Sequence, residues 1–172
     1  MPPRFLGLAV LALAVTGCAS ARPYRVDSPH NLEFSSPELK GGFLASAKVS
    51  LKLFFADDAC ELTYQGSVVL GPGDGPRQIG LPTDRAVYAR ILVETHSWFQ
   101  NRAKTRSREF RFRPRKGFRY SVAHTHRKKS YGTRFSQTQV RSGRTSELSV
   151  GAWEDCRPRV TGLGPSRRGT PS

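Results

Sequence analysis

The stretch that decides the fold runs from Ala45 to Phe55 and reads ASAKVSLKLFF. Every second residue in it is apolar, and serines and lysines fill most of the places between them. A repeat of two is that of a β-strand, in which successive side chains point to opposite faces of a sheet. Because Lys48 and Lys52 share the polar face, the pattern predicts a strand that is buried on one side and wet on the other.

Further alternations follow along the chain. One runs from Cys60 to Leu70, with its apolar residues at the even positions, and it predicts that Cys60 faces the core. Residues 71–76 are rich in Gly and Pro and predict a loop, and no sustained helical period occurs between residues 43 and 140. The other predicted strands cover residues 78–81, 87–99, 110–113, 118–122 and 131–135.

Six or seven short strands separated by turns are typical of an all-β protein. The predicted fold of residues 43–156 is an antiparallel β-sandwich of the transthyretin or immunoglobulin type, with a small open barrel as the alternative. Residues 18–42 lack periodicity and contain Pro and Gly among polar residues, which predicts a flexible tether. Residues 157–172 are interpreted as a disordered tail.

The N-terminus has the organisation of an export signal. Arg4 precedes an apolar run over residues 5–15, which is shorter than the roughly 20 residues of a membrane-spanning helix. The following residues, Val15-Thr16-Gly17-Cys18, resemble the lipobox of bacterial lipoproteins. The resemblance implies that signal residues 1–17 are removed and that Cys18 carries diacylglycerol and a further acyl chain such as palmitate. An ordinary signal peptide with a chance cysteine is the alternative.

The residues after Cys18 bear on the destination of the chain. Ala19 and Ser20 follow it, with no Asp at the second position. In lipoproteins of bacteria with two membranes this resembles an outer-membrane address. The resemblance therefore implies a lipid-anchored protein of the cell envelope, on the periplasmic side of the outer membrane.

The three cysteines divide into one lipid site and one pair. If Cys18 is acylated, Cys60 and Cys156 remain as an even pair in an oxidising compartment, which predicts a disulfide between them. The loop from residue 60 to residue 156 is 96 residues long, for which chain entropy gives a stabilisation of about 4–5 kcal/mol. Two free buried thiols are the alternative.

Positive charge is concentrated in one part of the chain. The formal net charge is +15, and residues 101–145 contain 15 Lys and Arg but only one acid, Glu109. Charge at that density predicts an anionic partner, and export excludes nucleic acid. Anionic lipid, lipopolysaccharide and peptidoglycan remain, while an Arg-rich composition without a partner is the alternative. The predicted anion-binding residues are Arg111, Arg113, Arg115, Lys116, Arg119, Arg127, Lys128 and Lys129.

No catalytic constellation stands out, and neither a metal nor a cofactor is predicted. His124 and His126 lie two residues apart on one face of a strand, a spacing that suits zinc, but a third ligand is needed. His96 or Glu94 are the candidates for it, and neither is fixed nearby by the sequence. The sequence therefore favours exposed histidines at a strand rim over a metal site.

A second resemblance covers the middle of the chain. Lys116, Gly117 and Tyr120, in a hairpin after an aromatic and basic strand, are similar to those of small envelope lipoproteins with a sandwich domain, a group with no shared activity to carry over. The first functional hypothesis is a lipid-anchored, non-catalytic protein that binds or braces an anionic envelope component. The alternatives are an accessory protein-interaction subunit of an envelope complex and a metal-dependent enzyme using His124 and His126.

Overall fold

The computed structural model describes residues 22–25, 28–39, 45–57, 60–97, 102–127 and 130–152. The described chain is all-β, and its strands form two sheets that pack face to face without closing into a barrel. This confirms the predicted β-sandwich. The strands are β1 (His30–Ser35), β2 (Ala45–Ala56), β3 (Leu62–Leu70), β4 (Arg77–Gly80), β5 (Val87–Ser97), β6 (Arg102–Phe112), β7 (Phe118–Arg127), β8 (Ser130–Gln139) and β9 (Thr145–Glu147).

The two sheets differ in strand order. One has four strands in the order β3-β2-β5-β6, and the other has five in the order β4-β1-β7-β8-β9. All neighbouring strands are antiparallel except β1 and β7, which are parallel. The connections β2–β3, β4–β5, β6–β7 and β8–β9 therefore lie at one end of the sandwich, here called the Arg115 end. The opposite end, at which β7 finishes, is called the Arg127 end.

The core between the sheets is apolar and aromatic. Phe34, Leu51, Ile91 and Phe110 are at most 1 % exposed. The ring of Phe110 in the four-stranded sheet lies 4.6 Å from that of Phe135 in the other sheet, in a tilted arrangement typical of aromatic pairs. The predicted strand at residues 45–55 supplies Val49, Leu51 and Leu53 to this core, as the alternation indicated.

The alternation along β3 is interrupted by a β-bulge. Leu53 pairs with Gly66 but Phe54 pairs with Tyr64, so one extra residue is inserted in β3 and the side chains change face. Val68 and Leu70 pack in the main core, whereas Leu62 packs in a second cluster with Phe54 and Tyr88. The prediction that Cys60 faces the main core is therefore wrong, since Cys60 packs against this second cluster.

The N-terminal segment is part of the folded domain. β1 lies between β4 and β7, and its Leu32 and Phe34 are 1 % and 0 % exposed. Upstream of it, residues 22–25 lie along the edge of β3. The prediction of a flexible tether over residues 18–42 is therefore wrong for residues 22–25 and 28–39. The description begins at Arg22, so only residues 19–21 remain between the described domain and Cys18.

Tyr24 joins the two sheets. Its backbone N–H donates to Ser67 O in the four-stranded sheet (3.0 Å), and its hydroxyl donates to Gly80 O in the five-stranded sheet (2.7 Å). Burial raises the pKa of the Tyr24 hydroxyl to about 12. The phenol therefore remains protonated in the folded protein at a pH at which it ionises in the unfolded chain.

We expect Tyr24→Phe to lower the free energy of unfolding by about 1 kcal/mol at pH 8, because a partly buried hydrogen bond is lost. The contribution of the tyrosine is complete below its ordinary pKa of 10.0 and is lost as the pH rises toward about 12. Denaturant unfolding of both proteins at pH 8 and pH 11 should show a smaller difference at pH 11. An equal difference at both values would mean that the phenol does not couple folding to proton binding.

Candidate anion-binding surfaces

The predicted anion-binding residues do not form one continuous face. Arg115, Lys116 and Arg119 lie at the Arg115 end, whereas Arg127 lies at the other end of β7, about 27 Å from Arg119 for an extended strand. Arg111 lies on the outer face of the four-stranded sheet, paired with Tyr88. Lys128 and Lys129 lie outside the described residues, and the side chain of Arg127 is likewise not described.

The turn that carries Arg115 and Lys116 is held by several hydrogen bonds. The backbone N–H of Arg115 donates to the Tyr120 hydroxyl (2.7 Å), and Phe118 N–H donates to Arg115 O (3.3 Å). Gly117 closes the turn with a φ of 80°, a conformation that favours glycine, and its carbonyl accepts from Val140 N–H (2.9 Å). Two basic side chains are therefore displayed from a backbone with a defined conformation.

A groove of about 490 Å³ opens beside this turn. Arg115, Lys116 and Arg119 line one part of it, and His30 and Asn31 of β1 line another. No acidic side chain is among its lining residues, and none of its three basic residues forms an ion pair with a described residue. The groove thus combines positive charge that no described acid pairs with and the polar side chains of His30 and Asn31, the second of which is held by hydrogen bonds with the Leu81 backbone.

Apolar side chains complete the groove. Phe118 and Leu81 contribute to its lining, as does Val140, which is 54 % exposed. We refer to the groove, together with the turns at residues 113–117 and 140–144 beside it, as the basic groove. The mixture of cationic and exposed apolar groups suits a ligand that has an anionic group and a hydrocarbon part.

The basic groove continues over the outer face of the five-stranded sheet. A second cavity of about 510 Å³ shares His30, Asn31 and Arg119 with it. This cavity is lined mainly by polar side chains, among them Glu33, which accepts a hydrogen bond from Gln78 Nε2 (2.9 Å). Negative charge therefore begins where the groove passes from the turns onto the sheet.

Arg113 and Arg111, two other residues of the predicted anion-binding set, form hydrogen bonds within the domain. Arg113 Nη2 donates to Asp84 O at 3.0 Å. A side-chain hydrogen bond from Arg85 is the main reason why the pKa of the Asp84 carboxyl is lowered, with a smaller contribution from the charge of Arg113. Arg111 exchanges two backbone hydrogen bonds with Gly151, each of 2.9 Å. The guanidinium of Arg113 thus contacts the protein directly, whereas these two hydrogen bonds of Arg111 are made by its backbone.

A second basic cluster lies between β6, an edge strand of the four-stranded sheet, and β7 and β8 of the other sheet. Arg106 lies over the ring of Tyr131, 4.4 Å from its centroid, and Arg108 lies over Phe135 at 5.0 Å. With His124 they line a cavity of about 210 Å³. The sequence prediction overlooked Arg106 and Arg108, although continuing the alternation back from Phe112 and Phe110 assigns them to the same inward face of β6.

His124 is buried in this cluster. Its side chain is 3 % exposed, and its ring stacks with that of Tyr131 at a centroid distance of 6.0 Å. The prediction of an exposed histidine at a strand rim is therefore wrong for His124. The reason is that His124 continues the inward face of β7 that Tyr120 and Val122 begin, and Arg106 and Tyr131 lie beside it.

A metal centre finds no support in the described ranges. Within them, no group of three or more His, Cys, Asp or Glu residues is arranged to hold a metal ion. Of the two candidates for a third ligand, Glu94 pairs with Lys48 at 3.1 Å, and both Glu94 and His96 lie on the four-stranded sheet. His124 lies on the five-stranded sheet. The side chain of His126 is outside the description.

Cys60 lies in the connection between β2 and β3. Its backbone N–H donates to Asp57 O (3.1 Å), and it adopts a φ of 62°. The sulfur of Cys60 is disulfide-bonded. Because Cys18 and Cys156 both lie outside the described residues, the pairing with Cys156 stays a prediction.

The described residues contain no helix long and apolar enough to cross a membrane. Comparison of the chain with protein-family models, with curated proteins and with solved structures gave no match. Any functional assignment therefore depends on the site geometry and on the sequence motifs of this chain.

Proposed function

We propose that this chain is a lipid-anchored, non-catalytic protein of the cell envelope that binds an anionic envelope component through the basic groove. The observation that carries the proposal is the convergence of Arg115, Lys116 and Arg119 on one groove without an acidic lining residue. Lipid phosphates, lipopolysaccharide and peptidoglycan carboxylates share the chemistry that such a groove attracts. Arginine suits them because its planar guanidinium binds two oxygens at once.

The lipid anchor is the other part of the proposal. The sequence Val15-Thr16-Gly17-Cys18 supports acylation of Cys18 after export, and Ala19 and Ser20 support retention at the outer membrane, on its periplasmic side. Two or three acyl chains hold a protein on a bilayer stably, since each buried CH₂ contributes about 0.8 kcal/mol. The domain then acts close to a surface that is rich in phosphate groups.

We expect Arg115→Glu/Lys116→Glu/Arg119→Glu to weaken binding to anionic vesicles by about 100-fold at low salt, because each basic residue near such a surface contributes about 1 kcal/mol. The measurement is co-sedimentation of residues 19–172 with phosphatidylglycerol-containing and phosphatidylcholine vesicles over a salt series, repeated with lipopolysaccharide and with peptidoglycan sacculi. Residues 19–172 contain the whole described domain, which begins at Arg22.

The matched control is Arg77→Glu/Lys104→Glu/Arg134→Glu, which reverses three exposed charges away from the groove. The control should bind much better than the groove variant if position matters, and equally badly if only net charge does. Wild-type protein that binds none of the anionic materials at low salt would refute the proposal.

A further inference from the structure

The direction in which the chain enters the domain is fixed by residues 22–25. Ser67 N–H donates to Arg22 O (2.9 Å) and Tyr24 N–H donates to Ser67 O (3.0 Å), and this segment runs parallel to β3. β3 begins at the Arg115 end. The backbone at Arg22 is therefore oriented so that the preceding residues lead toward the Arg115 end, the same end at which the basic groove opens.

The link between the anchor and the domain is short. Only three residues separate Cys18 from Arg22. Four extended steps reach at most about 14 Å, which is similar to the radius of gyration of about 14 Å expected for a compact domain of this size. An anchored domain of this kind cannot turn freely, because its entry point must stay within that distance of the bilayer.

We infer that the Arg115 end rests on the bilayer that holds Cys18 and that the basic groove binds the anionic headgroups of that bilayer. The inference rests on the proposed acylation of Cys18. The opposite end is unsuited to the same contact. From the level of Ser67, β2, β5 and β6 each run seven residues to that end, about 23 Å, which exceeds the reach of the link, but only three or four residues to the Arg115 end.

The composition of the Arg115 end fits a lipid surface. Exposed basic residues come from two of its turns: Arg113, Arg115, Lys116, Arg141 and Arg144. The exposed Val140 and the partly buried Phe118 lie between these turns, where they can enter the boundary between headgroups and acyl chains. Among the described residues of this end the acids are Asp57, Glu61 and Asp84, and Asp84 is paired with Arg85 at 3.0 Å.

The test uses the full-length lipidated protein, purified from membranes and reconstituted in vesicles. One set contains phosphatidylcholine with 30 % phosphatidylglycerol, and the other contains phosphatidylcholine alone. Hydrogen–deuterium exchange should be at least 5-fold slower in anionic vesicles for peptides covering residues 113–119 and 140–144. Peptides covering residues 71–77, at the Arg127 end, should exchange equally in both sets.

Two variants separate docking from anchoring. Arg115→Glu/Lys116→Glu/Arg144→Glu should abolish the slower exchange while leaving the protein on the vesicles. Insertion of 20 Gly and Ser residues between Ser20 and Ala21 should lower the ratio of docked to undocked domain about 15-fold, because effective concentration falls with roughly the −3/2 power of linker length.

Each alternative outcome has a distinct meaning. Equal exchange in both vesicle types, or slower exchange at residues 71–77 instead, would overturn the inference. A diacylglycerol thioether on Cys18, seen by mass spectrometry in the same protein, would show that the proposed lipid anchor nevertheless holds. An unmodified Cys18 in protein taken from membranes would overturn the anchor and the inference together.

Discussion

Replacing both Cys60 and Cys156 with serine should lower the free energy of unfolding by about 4 kcal/mol, because the unfolded chain regains the freedom that a 96-residue loop loses on closure. The measurement compares denaturant unfolding of oxidised wild-type protein and of the double serine variant, both as residues 19–172. Wild-type protein kept in reductant is the control and should match the variant. The effect is among the largest expected in this protein, because typical domains are stable by only about 5–15 kcal/mol.

The pairing itself follows from two constraints. Cys60 is disulfide-bonded, and the chain has two other cysteines. Cys18 is excluded if its sulfur forms the thioether of a lipid anchor, which leaves Cys156. The four strand spacings from Gly151 across β6, β5 and β2 to β3 amount to about 19 Å. The reach is sufficient, since five extended residues from Gly151 to Cys156 span up to about 18 Å and a disulfide joins Cα atoms that are about 5.5 Å apart.

The disulfide and the anchor therefore test each other. A tryptic peptide that joins Cys60 to Cys156 in unreduced protein would support both. A peptide that joins Cys18 to Cys60 in protein taken from membranes would contradict both, because one sulfur cannot be a thioether and a disulfide at once. Stability that is unchanged in the double serine variant would contradict the expected loop entropy.

The predictable part of the fold is the part with a simple alternation. β2 and β5 are long, with one apolar and one polar face, and both were predicted nearly to their ends. β1 was missed because its six residues contain only two apolar side chains, Leu32 and Phe34, between polar neighbours. The predicted strand at residues 110–113 covers only the last part of β6, because the earlier inward positions hold Arg106 and Arg108, whose stacking on aromatic rings carries no hydrophobic signal in the sequence.

The candidate site was predictable in its charge and not in its shape. The concentration of Lys and Arg in residues 101–145 identified Arg115, Lys116 and Arg119 without any knowledge of the fold. Their neighbours His30 and Asn31 come from β1, which reaches them through parallel pairing with a strand roughly 90 residues later in the chain. Parallel pairing between distant segments leaves no local pattern in the sequence. The sequence likewise does not show that Arg127 lies at the other end of β7 from the groove.

Gly66→Ala should be among the most damaging single changes outside the core, with a loss of about 3 kcal/mol in the free energy of unfolding, because a Cβ there would clash with backbone in addition to the penalty of a positive φ that favours glycine. Gly66 has a φ of 141°, and a Cβ there would lie 2.6 Å from Tyr24 Cα and 2.7 Å from Tyr24 N. The clash involves backbone and cannot be relieved by rotating a side chain. The segment 22–25 must therefore leave the edge of β3 or the strand must distort.

Two other glycines provide matched controls for this variant. Gly73→Ala carries a similar backbone penalty at a φ of 82° but meets nothing within 4 Å, so it should cost only about 1–2 kcal/mol. Gly75→Ala meets nothing and has an ordinary φ, so it should be close to neutral. Denaturant unfolding of the three variants measures the series, and a Gly66 variant no worse than Gly73→Ala would show that the segment 22–25 does not press on β3. If the segment is displaced, the link from Cys18 to the folded domain becomes longer, so Gly66→Ala should also weaken docking of the Arg115 end to anionic vesicles without removing the lipid.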